Sequence, residues 1–258
     1  TIGVVRENSN LAIDLNRDGL IRGEDDLTIA NFFNASGTRG GSGFIETVAG
    51  ISGNSILRNV ASSNVITGNR RNNRLSGTSA DELFEAAGGN DRVIAGGGDD
   101  TLLGGTGQDL LKGQEGNDSI NGGGGSDRLD GGVGDDVLIG GPGSDRFTFQ
   151  TNRRFLSSDL GVDAIVDFNG DEDSIVLDRA TFRNLDIIDR NRLAAGDFAV
   201  VNSNNAAALS EASIVYNQSN GGLFYNSDGS DLGFGIGDRF ATLQGQPTID
   251  STDFILVR

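Results

Sequence analysis

The sequence predicts an all-β fold whose centre is a stack of short, regularly repeated strands. Three observations indicate this. Aspartate recurs every nine residues through the middle of the chain, one apolar residue follows each of these aspartates at a fixed distance, and 41 glycines are accompanied by only two prolines. So much glycine with so little proline fits neither collagen nor a disordered Pro/Gly tract. We therefore expect the glycines to lie in ordered turns.

Composition and charge exclude several function classes. The chain has 258 residues with 37 acidic and 20 basic side chains, which gives a formal charge of −17. Such an acidic excess argues against nucleic acid and anionic membranes as partners and favours cations. Cysteine and histidine are absent, which removes thiolate chemistry, the Ser-His-Asp arrangement and His-ligated zinc. We predict that these residues are not an enzyme, and a catalytic part upstream stays compatible with the sequence.

The sequence predicts neither a membrane span nor an intact secretory signal within these residues. No run of 18 apolar residues occurs, and there is no basic-then-apolar leader, so we predict no membrane insertion. Methionine is absent. A chain that begins at Thr1 is therefore predicted to be a processed product or an excerpt of a longer protein.

The first predicted segment, residues 1–52, contains an EF-hand-type calcium loop from Asp14 to Asp25. Loop positions 1, 3, 5 and 12 carry the oxygen-bearing side chains Asp14, Asn16, Asp18 and Asp25, and glycine holds position 6. A helix is predicted from Asp26 to Asn34. The loop resembles the dockerin variant, but a single copy speaks against cohesin binding. The alternative is a polar turn between strands at 2–6 and 11–13.

The central segment, residues 86–150, carries the most regular pattern. Every ninth residue is an aspartate: Asp91, Asp100, Asp109, Asp118, Asp127, Asp136 and Asp145. Glycine precedes each by two residues. An apolar residue follows each by two: Val93, Leu102, Leu111, Ile120, Leu129, Leu138 and Phe147. Seven consecutive matches in three columns exclude chance, and the unit reads G-G-x-G-x-D-x-U-x, where U is apolar.

This nonapeptide resembles the repeat of the RTX (hemolysin-type calcium-binding) family. The resemblance implies a calcium-binding parallel β-roll, a β-solenoid in which six residues make a turn, three make a short strand and two repeats complete one coil. It also implies several bound Ca²⁺ ions and a secreted protein, in the extracellular space or on the cell surface. With its flanking segments, the predicted fold is a β-roll with a C-terminal β cap and a small N-terminal EF-hand-like calcium loop.

The residue types favour calcium on physical grounds as well. Glycines allow positive φ and bring carbonyl oxygens close to one point, where the short aspartate side chain adds a charged oxygen. If two repeats make one coil, aspartates 18 residues apart lie about 4.8 Å apart on one edge. Five such pairs exist, and five Ca²⁺ ions would change the charge from −17 to −7. Oxygen-only sites suit Ca²⁺ better than Zn²⁺ or Mg²⁺, and we expect folding to be coupled to metal binding.

Residues 53–85 are predicted to be degenerate coils that continue the roll. The same two-residue offset recurs there at uneven steps of nine, eight and ten: Asn64 before Ile66, Asn73 before Leu75, and Asp81 before Leu83. Asparagine is expected to weaken or abolish metal binding, and ordinary irregular strands are the alternative. Four residues stand where the repeat has glycine, and we expect poorer sites beside them: Ala86, Ala87, Ala95 and Gln114.

Residues 151–258 are predicted to cap the roll, because glycine thins out and apolar alternation begins. This segment resembles the closing coil and cap of serralysin-type secreted proteins, and Asp163 and Asp173 are predicted to close one more metal site. The final residues, Asp253 to Arg258, resemble the type I secretion signal of that family, although a buried terminal strand would show the same pattern. The zinc-binding histidine motif of serralysins is absent, so their protease activity does not transfer.

Four functions compete. The first is a secreted, non-catalytic calcium-binding module whose calcium-coupled folding stabilises an extracellular protein. The second is a calcium-dependent cell-surface, filament or S-layer assembly subunit whose partners are copies of itself. The third, a polysaccharide-binding accessory module resembling those of alginate epimerases, is disfavoured because tryptophan is absent and the only tyrosines are Tyr216 and Tyr225. The fourth, a glycosidase-like enzyme, is disfavoured because the nine-residue period already accounts for the acids.

Overall fold

The computed structural model describes residues 64–151, 153–188, 191–227 and 238–257, together with the strands at 3–7, 10–14 and 27–29. The chain divides into two compact units, Thr1–Ser62 and Ser63–Arg258. In the described part of the chain, no helix is both long and apolar enough to span a membrane.

The first unit contains a three-stranded antiparallel sheet in the order β1 (Gly3–Glu7), β2 (Asn10–Asp14) and β3 (Leu27–Ile29). The helix predicted from residue 26 onwards is wrong at β3, where Thr28 and Ile29 are β-branched and pair with β2 as extended backbone. Asp14 ends β2. The rest of the predicted calcium loop, with Asn16, Asp18 and Asp25, lies outside the described residues.

The second unit is a parallel β-solenoid of about eight turns, which confirms the predicted all-β roll. Its strands alternate between two sheets. Sheet A holds β4 (Asn64–Asn69), β6 (Glu82–Ala87), β8 (Thr101–Thr106), β10 (Ser119–Gly124) and β12 (Val137–Ile139). Sheet B holds β5 (Arg74–Ser76), β7 (Arg92–Gly97), β9 (Leu110–Glu115), β11 (Arg128–Val133) and β13 (Arg146–Phe149).

The register confirms that two repeats make one coil. Ile120 on β10 lies beside Leu102 on β8, 18 residues earlier, and the same step relates β9 to β11. Pairing continues through the glycines, with Gly123 beside Gly105. Most strands therefore span six residues and the turns three, the reverse of the lengths that the resemblance implied.

The apolar residue of each repeat lies inside the roll, as predicted. Seven side chains in this column are fully buried in one cluster: Val93, Leu102, Leu111, Ile120, Leu129, Leu138 and Phe147. Because the two sheets supply these side chains alternately, each coil contributes two to the core. Burial on the inner face therefore fixes the register of every strand.

The nine-residue step extends back to residue 64 without the predicted drift. Glu82 pairs with Asn64 and donates its backbone N–H to Asp100 Oδ1 at 2.7 Å, so Glu82 holds the position predicted for Asp81. Phe84, fully buried, is accordingly the inward residue in place of Leu83. The spacing indicates this position, because residues 73 and 91 are 18 residues apart and a regular nine-residue step between them falls on residue 82.

Residues beyond 150 extend both sheets. The added elements are α1 (Ser157–Leu160), β14 (Asp163–Ile165), β15 (Ser174–Asp178), β16 (Ile187–Ile188), β17 (Arg192–Leu193), β18 (Phe198–Val201), α2 (Asn204–Ala208), β19 (Ile214–Asn217), β20 (Gly222–Tyr225), β21 (Arg239–Leu243) and β22 (Phe254–Val257). Strands β14 and then β21 continue sheet A in parallel, and β15 and then β22 continue sheet B.

The core widens at this end of the roll. The rings of Phe155, Phe182 and Tyr225 pack with centroids 5.1–5.4 Å apart. Phe254 and Leu256 of β22 are buried, which confirms the alternative of a buried terminal strand. Large aromatic side chains here fill the space that lies between the sheets.

Candidate metal centre

The ladder aspartates form two columns, one on each edge of the roll. Asp91, Asp109, Asp127 and Asp145 end the turns that lead into sheet B, and Asp100, Asp118 and Asp136 end the turns that lead into sheet A. Each is at most 3% exposed. The structure therefore brings together the aspartates that are 18 residues apart, and keeps successive ones on opposite edges.

Each carboxylate is held by the coil before it. Asp118 Oδ1 accepts a hydrogen bond from the backbone N–H of Asp100 at 2.8 Å, and the N–H of Asp118 donates to Asp136 Oδ1 at 2.7 Å. The same contact joins the aspartates of the other edge at 2.8 Å. Strand register thus positions one oxygen of every ladder carboxylate.

The second oxygen has no protein partner. Oδ2 of all seven ladder aspartates is buried and accepts no hydrogen bond: Asp91, Asp100, Asp109, Asp118, Asp127, Asp136 and Asp145. Burying an ionised carboxylate with an unpaired oxygen is costly unless a cation neutralises it. The repetition of this arrangement along both edges indicates a row of cation sites.

These Oδ2 atoms face a cradle that glycine leaves open. A Cβ on Gly113 would lie 1.9 Å from Asp118 Oδ2 and 2.6 Å from the carbonyl oxygen of Gly131. A Cβ on Gly122 would lie 2.4 Å from Asp127 Oδ2. Carboxylate and carbonyl oxygens therefore approach one small space that any side chain would fill, and such an oxygen-only donor set fits Ca²⁺.

Backbone carbonyls are needed to complete each site. Among the residues that the structure describes, no group of three or more acidic side chains is placed to hold one ion. A Ca²⁺ ion takes six to eight oxygen ligands. Two carboxylates from successive coils supply only part of that number, so glycine, which lets carbonyl groups turn inwards, is as necessary to the site as aspartate.

Burial raises the pKa of the ladder carboxyls. It raises the pKa of Asp118 to about 7, against the lowering effect of the hydrogen bond from Asp100, and the charges of Asp136 and Asp100 raise it further. Burial likewise raises the pKa values of Asp127, Asp136 and Asp145 to about 6. Near neutral pH the ladder therefore favours either a proton or a cation at these carboxyls.

The predicted pair Asp163 and Asp173 extends the two columns separately. Asp163 Oδ1 accepts from the N–H of Asp136 at 3.2 Å, and Asp173 Oδ1 accepts from the N–H of Asp145 at 2.9 Å. They lie on opposite edges and so do not close one joint site. Asp173 Oδ2 also accepts the N–H of Asn169 at 2.9 Å, which leaves this carboxylate without the unpaired oxygen of the ladder.

Glu82, which the sequence analysis missed, differs from the aspartates of its column. Its longer side chain reaches back to Thr78, where Oε2 accepts the backbone N–H at 3.2 Å and Oε1 accepts the hydroxyl group. Both oxygens are therefore occupied by the turn. The fully formed ladder begins with Asp91 on one edge and Asp100 on the other.

Comparison with known proteins agrees with this geometry. Residues 60–93, 76–111 and 112–147 match the family model described as RTX calcium-binding nonapeptide repeat (4 copies). The chain carries RTX repeats. Calcium is the cofactor of such repeats, and their aspartate-rich turns fit several ions. The part of the chain that matches the RTX repeat contains all seven ladder aspartates.

Among solved structures, the AlgE6R3 subunit of the Azotobacter vinelandii mannuronan C5-epimerase is similar at 22% identity, over 73% of this chain and 80% of that chain, with a TM-score of 0.29. No curated protein matches the chain.

Proposed function

We propose that the chain is a secreted, non-catalytic calcium-binding RTX module whose folding is coupled to calcium and stabilises an extracellular protein. The observation that carries this proposal is the set of seven buried carboxylates whose Oδ2 atoms have no partner. Without a cation, folding would stack these charges at the spacing of neighbouring strands, about 4.8 Å. A cation between two successive carboxylates replaces their mutual repulsion by attraction of each carboxylate to the cation.

Calcium availability then decides where the chain folds. Extracellular calcium modules bind their ions at roughly 10⁻⁴–10⁻³ M. A ladder in that range stays empty in the cytosol and fills outside the cell, so the chain is exported unfolded and folds after export.

The C-terminal segment supports export in the same way. We propose that Asp253 to Arg258 acts as a type I secretion signal of the serralysin kind. In the folded roll Phe254 and Leu256 are buried, so an export machinery reaches them only before calcium binds. The export machinery would therefore bind a signal in the last strand while the chain is unfolded, and folding would then bury that signal.

A non-catalytic role is supported by the chemistry of the side chains. Histidine and cysteine are absent. The ladder carboxylates are at most 3% exposed and each has one oxygen engaged by backbone, which leaves them poorly placed to reach a substrate.

The test is far-ultraviolet circular dichroism of the whole chain during titration with CaCl₂ and, separately, MgCl₂, each starting from chelator. We expect little β signal in chelator, a cooperative gain in millimolar Ca²⁺ and no comparable gain in Mg²⁺, which keeps its waters. Full β signal in excess EDTA would contradict calcium-coupled folding.

The second candidate, a calcium-dependent assembly subunit, is favoured by one specific observation. The two edges of the roll carry outer side chains of opposite charge.

A further inference from the structure

Arginines line one edge of the roll. The first residue of four sheet-B strands is an exposed arginine: Arg74, Arg92, Arg128 and Arg146. Arg74 lies directly beside Arg92, and Arg128 beside Arg146, while Leu110 separates the two pairs. We call this column the arginine edge.

The four arginines of the arginine edge take part in no ion pair that the structure describes. Within the described part of the chain, ion pairs join Lys112 to Asp130 and Arg153 to Asp159, and none includes these four arginines. Asp130, two residues from Arg128, is already bound by Lys112 at 2.7 Å. Like charges directly opposite one another destabilise a sheet. The arginine column is therefore exposed and available to an anionic partner.

The opposite edge carries a column of acids at a different position of the repeat. The residues just before the sheet-A ladder positions are exposed: Asp81, Asp99, Asn117 and Asp135. Their backbone and side chains form their own ladder, in which Asp99 Oδ1 accepts the N–H of Asn117 at 2.8 Å. We call this column the acidic edge. The equivalent residues beside the arginines are neutral: Asn90, Gln108, Ser126 and Ser144.

The two columns match coil by coil. Each column has one side chain per coil, so the spacing along the roll is the same in both columns. The neutral position also falls in the same coil: a constant offset of seven residues relates Arg74 to Asp81, Arg92 to Asp99, Leu110 to Asn117 and Arg128 to Asp135. A second copy shifted sideways thus meets charge with opposite charge in three coils, at 74/81, 92/99 and 128/135, whereas Arg146 is matched by the neutral Val162.

The arginine edge also has room for such a neighbour. A groove of about 450 Å³ runs along it, lined by Ser126, Ser144, Arg128 and Arg146. Four acids also line this groove, and the three that belong to the ladder are at most 3% exposed: Asp109, Asp127, Asp145 and Glu172. The small serine side chains leave the guanidinium groups accessible. Carboxylates entering this groove would meet the planar, multidentate donors that arginine offers.

We propose that calcium-loaded copies of this chain associate side by side, the arginine edge of one against the acidic edge of the next. The contact joins two different surfaces, so each added copy presents another free edge and the assembly stays open. The inference rests on the proposed function in one respect, since only the calcium-loaded roll aligns the two columns.

The experiment is sedimentation velocity of the whole chain in millimolar Ca²⁺, at low and high salt, up to a protein concentration of about 100 μM, because exposed ion pairs are weak and screened. One variant reverses the arginine edge (R92E/R128E) and a second reverses the acidic edge (D99K/D135K). The matched control, R154E/R179E, changes the net charge as much as the first variant but at exposed arginines outside both columns. Circular dichroism of each sample reports folding.

We expect the wild type and the control to associate at low salt and to dissociate at high salt. Each reversed variant should associate at least about tenfold more weakly, because like charges then meet at 92/99 and 128/135. An equimolar mixture of the two should regain association, since the two reversals together restore opposite charges at those positions. A folded wild type that stays monomeric, or an arginine-edge variant that behaves like the control, would overturn the proposal.

A different partner would give a different pattern. If the folded wild type stays monomeric and binds polygalacturonate through its arginine edge, self-association is overturned in favour of an anionic polysaccharide. If circular dichroism shows no calcium-induced folding, the proposed function fails as well. Folding without association defeats only the inference.

Discussion

Replacing Asp118 by asparagine is expected to have opposite effects with and without calcium. Asparagine keeps the oxygen that accepts the N–H of Asp100, so the coil contact survives. It removes the charge and the anionic Oδ2 that faces Gly113. In chelator the variant loses a buried repulsive charge, and in calcium it loses a ligand.

The structure sets the size of both effects. Burial raises the pKa of Asp118 from 3.8 to about 7, and at about 1.4 kcal/mol per pH unit this is roughly 4 kcal/mol against the ionised form. Solvent at the edge screens part of it, so we expect the metal-free roll to gain about 2 kcal/mol. In calcium, losing one charge-assisted contact should cost about 2–3 kcal/mol.

The assay is unfolding by urea in saturating calcium and folding by trimethylamine oxide in chelator, both followed by circular dichroism at pH 7.5. Asp99→Asn is the matched control, because the same change one residue before a ladder position removes an exposed charge and keeps its hydrogen bond. If Asp118→Asn changed stability in the same direction under both conditions, Oδ2 would not be a calcium ligand.

Three further results are expected. In chelator, the β signal in circular dichroism should increase as pH falls from 7.5 to 5. Carboxyls with raised pKa values stabilise the metal-free roll when protonated, and they lose that contribution as pH rises through 6–7. Because protons compete with calcium for these carboxyls, the calcium concentration at the folding midpoint should rise over the same fall in pH. Gly113→Ala should cost about 1–3 kcal/mol in calcium by urea unfolding, since its Cβ meets Asp118 Oδ2, whereas Gly124→Ala, with no atom within 4 Å, should change stability by less than about 0.5 kcal/mol. Deleting residues 253–258 should leave several calcium ions bound but lower the melting temperature or cause aggregation through strand β15, which β22 no longer covers. An unchanged melting temperature with lost export would leave only the role as a secretion signal.

The repeat was predictable because its physics is local. Aspartate, glycine and one inward apolar residue recur at a fixed step, and the register of Ile120 beside Leu102 follows from burying that apolar column. The lengths of strand and turn were not predictable in this way. Pairing that runs through Gly105 depends on contact with the next coil, which spacing alone does not describe.

Features set by distant contacts escaped the sequence analysis. The ladder steps from Asp136 to Asp163 and from Asp145 to Asp173 contain inserted residues, so the nine-residue rule could not show that these acids lie on opposite edges. Glu82 was missed because its place is fixed by pairing with the next coil and not by its residue type.

The prediction of a helix from Asp26 to Asn34 was wrong at β3 for a related reason. Leu27 lies on an apolar helical stripe in the sequence, but pairing with β2 makes it part of a strand. Tertiary pairing here overrides local periodicity.

The most direct test of the calcium ladder is anomalous diffraction from crystals grown in calcium. We expect ions along both edges, between coils, with an Oδ2 atom of a ladder aspartate about 2.3–2.6 Å from each ion. The five intervals bounded by two such aspartates should be occupied: 91/109, 109/127 and 127/145 on one edge, and 100/118 and 118/136 on the other. A folded roll whose ladder holds no ions in saturating calcium would contradict this expectation.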